Sequence, residues 1–123
     1  MDRDFGRATR RTLRQLARIA WERELNAELS VLAASFDQWK AGAIGPHELS
    51  DRIHTFHHGA ARELYGLYTR VHPPQLVARA VGLHVLSDTE VPPALLEALA
   101  SSIEYYRSQL NAPDDDDDPE SHD

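Results

Sequence analysis

The chain contains no cysteine, which excludes disulfides, zinc knuckles and thiol nucleophiles and fits a cytoplasmic setting. It has no apolar run long enough to cross a bilayer, so no membrane association by a spanning helix is expected. Strand-like alternation of apolar and polar residues is missing, and so is any internal repeat. Lysine occurs once, as Lys40, against twelve arginines. The N-terminal stretch is rich in arginine but has no apolar segment before a small-residue cleavage site. Its early acids Asp2 and Asp4 are atypical of a mitochondrial presequence, so no targeting segment is expected.

Charge is abundant but unevenly spread. The formal net charge is −7 over 123 residues. Residues 114–123 alone carry seven acids (Asp114 to Asp118, Glu120 and Asp123) and no arginine or lysine. The rest of the chain balances thirteen acids against thirteen bases, and seven of those bases are arginines within residues 1–23. A neutral body with a basic front and an acidic tail is the resulting picture.

What remains is helical patterning. Leu13, Ala17 and Ala20 lead into Trp21, Leu25, Leu29, Leu32, Phe36 and Trp39 at steps of three and four, with no glycine or proline between Thr9 and Lys40. That spacing predicts one long amphipathic helix. Gly42 supplies a stop, Pro46 suits a first helical position and Glu48 a first turn. A second helix follows to about His72, where Pro73 and Pro74 end it. Its apolar seam is Leu49, Ile53, Phe56, Ala60, Leu64, Leu67 and Val71. The register places residue Phe36 near Ser50, Leu32 near His54 and Glu28 level with His57 and His58. Residues before about Arg14 then have no partner on the second helix and project beyond it. A short, nearly all-apolar helix is expected over 75–86, and a fourth from Pro92-Pro93 to Leu110.

The expected fold is therefore all-α, a small helical bundle built on a long antiparallel helical hairpin, with two further helices packed across its apolar seam. Residues 1–8 are expected to be a flexible basic N-terminus, 9–112 the helical bundle and 113–123 a disordered acidic tail.

Four patterns are candidates for function. His47, His54, His58, Tyr65 and His72 recur at seven, four, seven and seven, which draws a second line opposite the apolar seam. A helix used only as a strut needs no such line, and it suits a partner surface that weakens as imidazoles protonate. Asp51, His54 and His58 share one face at i, i+3 and i+7, a permissive spacing for a divalent transition ion. A solvated face carrying chance histidines explains the same residues. Arg7, Arg11, Arg14 and Arg18 form a basic stripe able to meet phosphates or an acidic partner, the acidic tail included. No aromatic residues interleave with it for base stacking. Finally, His57 beside Glu28 suggests a Glu–His hydrogen bond at the edge of the seam.

Arg79 and His84 have the Arg-x4-His spacing, with Ala80, Val81, Gly82 and Leu83 between them. This resembles the signature of HEPN-type helical-bundle ribonucleases, and the resemblance covers six residues. It implies an Arg–His pair, brought together across a dimer, that attacks the RNA backbone. The family usually has a polar residue just after the arginine, where this chain has Ala80.

Taken together, these patterns describe a small non-enzymatic interaction or regulatory module without a cofactor. It presents a His/Tyr helix face and an Arg stripe to another protein, or to a second copy as a homodimer through surface near Trp21 and Trp39. The alternatives are a His-cluster metal-binding helical protein, a HEPN-like ribonuclease, and a nucleic-acid-binding protein that uses the Arg stripe.

Overall fold

The computed structural model describes residues 5–111. All regular structure among them is helical. Helix α1 runs Arg7–Lys40, α2 Pro46–Phe56, α3 Arg62–Arg70, α4 Pro73–Gly82, α5 Pro93–Ala98 and α6 Ala100–Asn111. A π-helical turn, His57–Ala61, joins α2 to α3, and a 3-10 turn, Asp88–Glu90, lies between α4 and α5. None of the helices is long and apolar enough to cross a membrane.

The helix ends are where sequence chemistry places them. At 1.5 Å per residue, α1 is roughly 50 Å long. It closes on Gly42, whose φ of 81° suits a residue without Cβ. The Gly42 amide bonds the Trp39 carbonyl and the Ala43 amide bonds the Gln38 carbonyl, the paired bonds of a Schellman cap. Pro46, Pro73 and Pro93 open α2, α4 and α5, where a missing N–H costs nothing. Helix α4 ends in a second Schellman cap: the His84 amide bonds Val81 O and the Val85 amide bonds Ala80 O. Here the left-handed position, with φ 65°, falls to His84 instead of glycine.

Opposing contacts make α1 antiparallel to the α2–α3 segment. Ser35 meets Arg52 near the turn, while Glu24 meets Tyr68 about three helical turns back along α1. The core lies at one end of this pair. It is built from Leu13, Leu16, Ala17 and Ala20 of α1, Leu76 to Ala78, Ala80 and Val81 of α4, Leu86 and Val91 of the connection, and Leu95, Leu99 and Ile103 beyond it. Tyr68 completes it from α3. Gly82 lets α4 and α6 touch: a Cβ there would come within 2.6 Å of the Tyr106 Cβ and 2.8 Å of the Ile103 carbonyl.

Four expectations are corrected. The start of α1 does not project beyond the hairpin. Helix α4 packs on it and makes it the centre of the body, so α4 to α6 cover the open end of the hairpin instead of its whole seam. The helix begins at Arg7, and Phe5 packs on the core, so residues 5–8 belong to the folded body. The helix expected over 75–86 is α4, Pro73–Gly82, and the helix expected from Pro92-Pro93 to Leu110 is bent at Leu99 into α5 and α6. The acidic tail, 113–123, lies outside the described residues.

Helix two is likewise not one regular rod. Its backbone stays helical from Pro46 to Arg70, but the π turn inserts i→i+5 bonding at residues 57–61. Each π-type residue advances less around the axis than an α-type residue, so both seven-residue seams lose register there. Downstream, Gly66 and Tyr68 are buried, while Leu64 and Leu67 are only half-buried.

Candidate functional site

The π turn gathers the imidazoles of the second segment. The His54 and His58 rings sit 4.2 Å apart between centroids, and His57 meets His58 edge-on at 5.1 Å. His57, His58, Ala61, Arg62 and Tyr65 line a shallow cleft of about 410 Å³. The neighbouring His54, with burial, His57 and Arg62 adding to it, pushes the His58 imidazole below its ordinary value of 6.5. All three rings are exposed.

The rest of the expected His/Tyr line is dispersed. His47 is exposed in the first turn of α2. Tyr65 is 62% exposed but lies edge-on to Trp21, with ring centroids 6.1 Å apart, because the π turn rotates it toward α1. His72 precedes Pro73 as the N-cap residue of α4 and lines a different cleft. Asp51 does not join His54 and His58: among the described residues no group of three acids or imidazoles is arranged to hold a metal ion. The Glu28–His57 hydrogen bond is not formed either, and both side chains are exposed.

The acid that matters is one turn earlier. Glu24 accepts a hydrogen bond of 2.5 Å from the Tyr68 hydroxyl, and its carboxylate meets the Arg79 guanidinium at 2.7 and 3.3 Å. Both ionic side chains are about four-fifths buried, so neither is dispensable without stranding the other. Burial, then Glu24, pushes the Tyr68 phenol well above its ordinary value. Nothing in the periodicity singled out Glu24 or Tyr68. The available signal was weak: Glu24 follows Ala20 by one turn on the inner side of α1, as Glu28 follows Glu24, and spacing does not say which of the two acids is buried.

This triad fixes an aromatic platform. The Trp21 ring stacks on Tyr68 with centroids 5.5 Å apart and planes 4° from parallel. Beside it opens a cleft of about 460 Å³ lined by Arg14, Arg18, Trp21, Glu22, Leu25 and Tyr68 among others. A second cleft, of about 860 Å³, adjoins it across Arg14 and Pro73 and carries Arg10 and His72. Arg7, Arg11, Arg14 and Arg18 are all exposed along this side of α1. Among the described residues no acid forms an ion pair with any of them, whereas Arg23, Arg52, Arg79 and Arg107 all have carboxylate partners.

Arg79 is tied into the fold through its side chain, whereas His84 serves it only through its backbone and keeps its imidazole exposed. Arg79 is held by Glu24 and lies 3.5 Å from the Tyr68 hydroxyl, and His84 occupies the cap position of α4. No hydrogen bond joins them.

The third feature is the closed end of the hairpin. There Leu29 is 42% exposed, Val31 68%, Phe36 36%, Trp39 42% and Ile53 39%. Leu29, Phe36 and Trp39 follow one another at seven and three, which is one side of α1. Val31 borders a groove of about 540 Å³ shared with Ser35, Arg52, Thr55 and Gly59. In comparisons with known proteins, no family model, no curated protein and no solved structure matches this chain.

Proposed function

We propose that the chain is a non-catalytic interaction module that docks on another protein through the closed end of its hairpin, roughly residues 25–60. The supporting observation is the apolar exposure of that arm. Two helices alone form a single layer, and a domain buries its apolar stripes only between two. The body has its second layer in α4 to α6; the arm has none among the described residues. Leu29, Phe36 and Trp39 line one side of α1 while Val31 edges the groove toward α2, and apolar side chains gathered on one uncovered arm are what contact surfaces present.

The histidine edge lies along the same arm and gives the contact a pH dependence. An amphipathic helix laid across the arm would supply the missing layer and meet His54 and His58 at the rim. Protonation of the His58 ring, which its neighbours push below the ordinary imidazole value, then weakens the complex.

Native co-purification with mass spectrometry tests the reading, with light scattering on the same sample to show whether the partner is a second copy. The comparison protein carries Val31→Asp and Ile53→Asp together. Both positions lie outside the core, so the helical signal and melting point should hold while the complex is lost. Retention of the same partner and mass by a folded double variant refutes docking through the arm.

A further inference from the structure

The arginine stripe, without an ion-pair partner among the described residues, and the aromatic platform lie on the body, and together they make a second site. We infer that this face of α1 binds single-stranded nucleic acid. Arg7, Arg11, Arg14 and Arg18 meet successive phosphates, and the cleft between Arg14, Arg18, Trp21 and Tyr68 receives one base.

The argument begins with charge. Residues 5–21 hold five arginines and no acid. Among the described residues no carboxylate pairs with Arg7, Arg11, Arg14 or Arg18, and the one acid lining the cleft beside them is Glu22. Arginine is suited to phosphate because its planar fork presents several donors at once. A chain with one lysine therefore concentrates its whole phosphate-binding capacity in this residue type.

The second step is stacking. A row of arginines alone fits any polyanion, but sites for single strands add aromatic faces to a cationic track. Read along α1, no aromatic residue interleaves with the stripe. Folding completes an aromatic face at the end of the stripe: Trp21 lies one turn beyond Arg18, continuing the line, and the buried Tyr68 ring from α3 backs it. The Glu24–Tyr68–Arg79 bonds fix the ring that backs Trp21, so the stacking face is preformed and the ordering cost falls on the arginines alone. The cleft, at about 460 Å³, admits a single base with part of its sugar. A folded duplex does not offer its bases this way, which selects single strands.

The test uses the full chain and a labelled oligoribonucleotide of mixed sequence, about 12 nucleotides long, within the roughly 4–16 that comparable grooves cover. The affinity should fall with salt at about 0.7 log units per phosphate contact, hence a slope near −2.8 for four arginines. Arg14→Gln with Arg18→Gln should weaken binding by roughly tenfold at low salt and halve that slope. Glu22→Gln, which removes the one acid at the rim, should tighten it. In a Trp39→Phe background the emission reports Trp21 alone, and the oligonucleotide should quench it. The proposal fails if the folded protein does not bind the oligonucleotide or if the arginine pair is without effect. It also fails if Trp21 is not quenched, or if an oligo-aspartate peptide binds where the oligonucleotide does not, which would assign the face to an acidic protein.

Discussion

Helix α1 carries the same three-and-four apolar spacing at both ends, yet the two ends are treated oppositely. Near its start, Leu13 and Ala20 are 1% and 0% exposed beneath α4. Near its end, Leu29, Phe36 and Trp39 stand 36–42% exposed over a single facing helix. Apolar spacing specifies that a face wants cover; it does not say whether the cover comes from the same chain. That depends on where the remaining helices can reach, and the α3–α4 corner at Pro73 sends α4 back along the start of α1.

The sharpest way to break this comparison is to injure each end equally. Gly82→Ala in the body forces a methyl group against the α6 backbone, where no flexible side chain can yield. It should cost about 3 kcal/mol, the upper range for an overpacked site. Ile53→Ala in the arm removes more atoms from a side chain that is already 39% exposed, and should cost under about 1.5 kcal/mol. Urea denaturation of the two variants measures both. Equal losses would mean that the arm is as tightly integrated as the body.

How far the sequence carried this picture follows from the same contrast. The all-α class, the Gly42 stop and the proline-opened helices were legible because each depends on local backbone chemistry. The register was nearly legible too: Trp21 meets Tyr65 where a level pairing puts it, and Ser35 meets Arg52 within one residue. The π turn was not, since its residues, His57 to Ala61, have ordinary helix-compatible types and the extra residue shows only in the bonding. Missing it misplaced Tyr65 and His72 on the histidine line. The Glu24–Tyr68–Arg79 triad was invisible for another reason: its members come from three helices, and their meeting depends on how α3 and α4 turn at Val71–His72.

A smaller effect probes the arm alone. Gly59 sits in the π turn with a negative φ and open space where a Cβ would be. Glycine inside a helix costs roughly 0.5–1 kcal/mol relative to alanine. Gly59→Ala should therefore raise stability by about that amount, read as a higher melting temperature. If the partner complex weakens at the same time, the arm keeps a glycine there for docking against the pull of stability.

The two ends should also titrate apart. In the body, Arg23 holds the Glu90 carboxylate through bonds of 2.9 and 2.6 Å, and this lowers its pKa from 4.5 to about 2. A carboxylate lowered by folding lends stability that is complete above 4.5 and is lost as pH falls through about 2. In the arm, His54 and the neighbouring charges lower the His58 pKa from 6.5. Between that value and the lower folded one, the unfolded chain takes up a proton that the folded chain refuses, so stability drops as pH falls. The arm should thus loosen first, below pH 6.5, while the clasp on Glu90 survives into strong acid. His54→Ala separates the causes, because it removes the leading repulsion and should move the His58 titration, followed by NMR of the imidazole protons, back toward 6.5 with Glu90 untouched. A His58 titration that ignores the substitution would mean that the two rings do not share one edge in solution, and the pH-sensitive part of the docking surface would be lost with them.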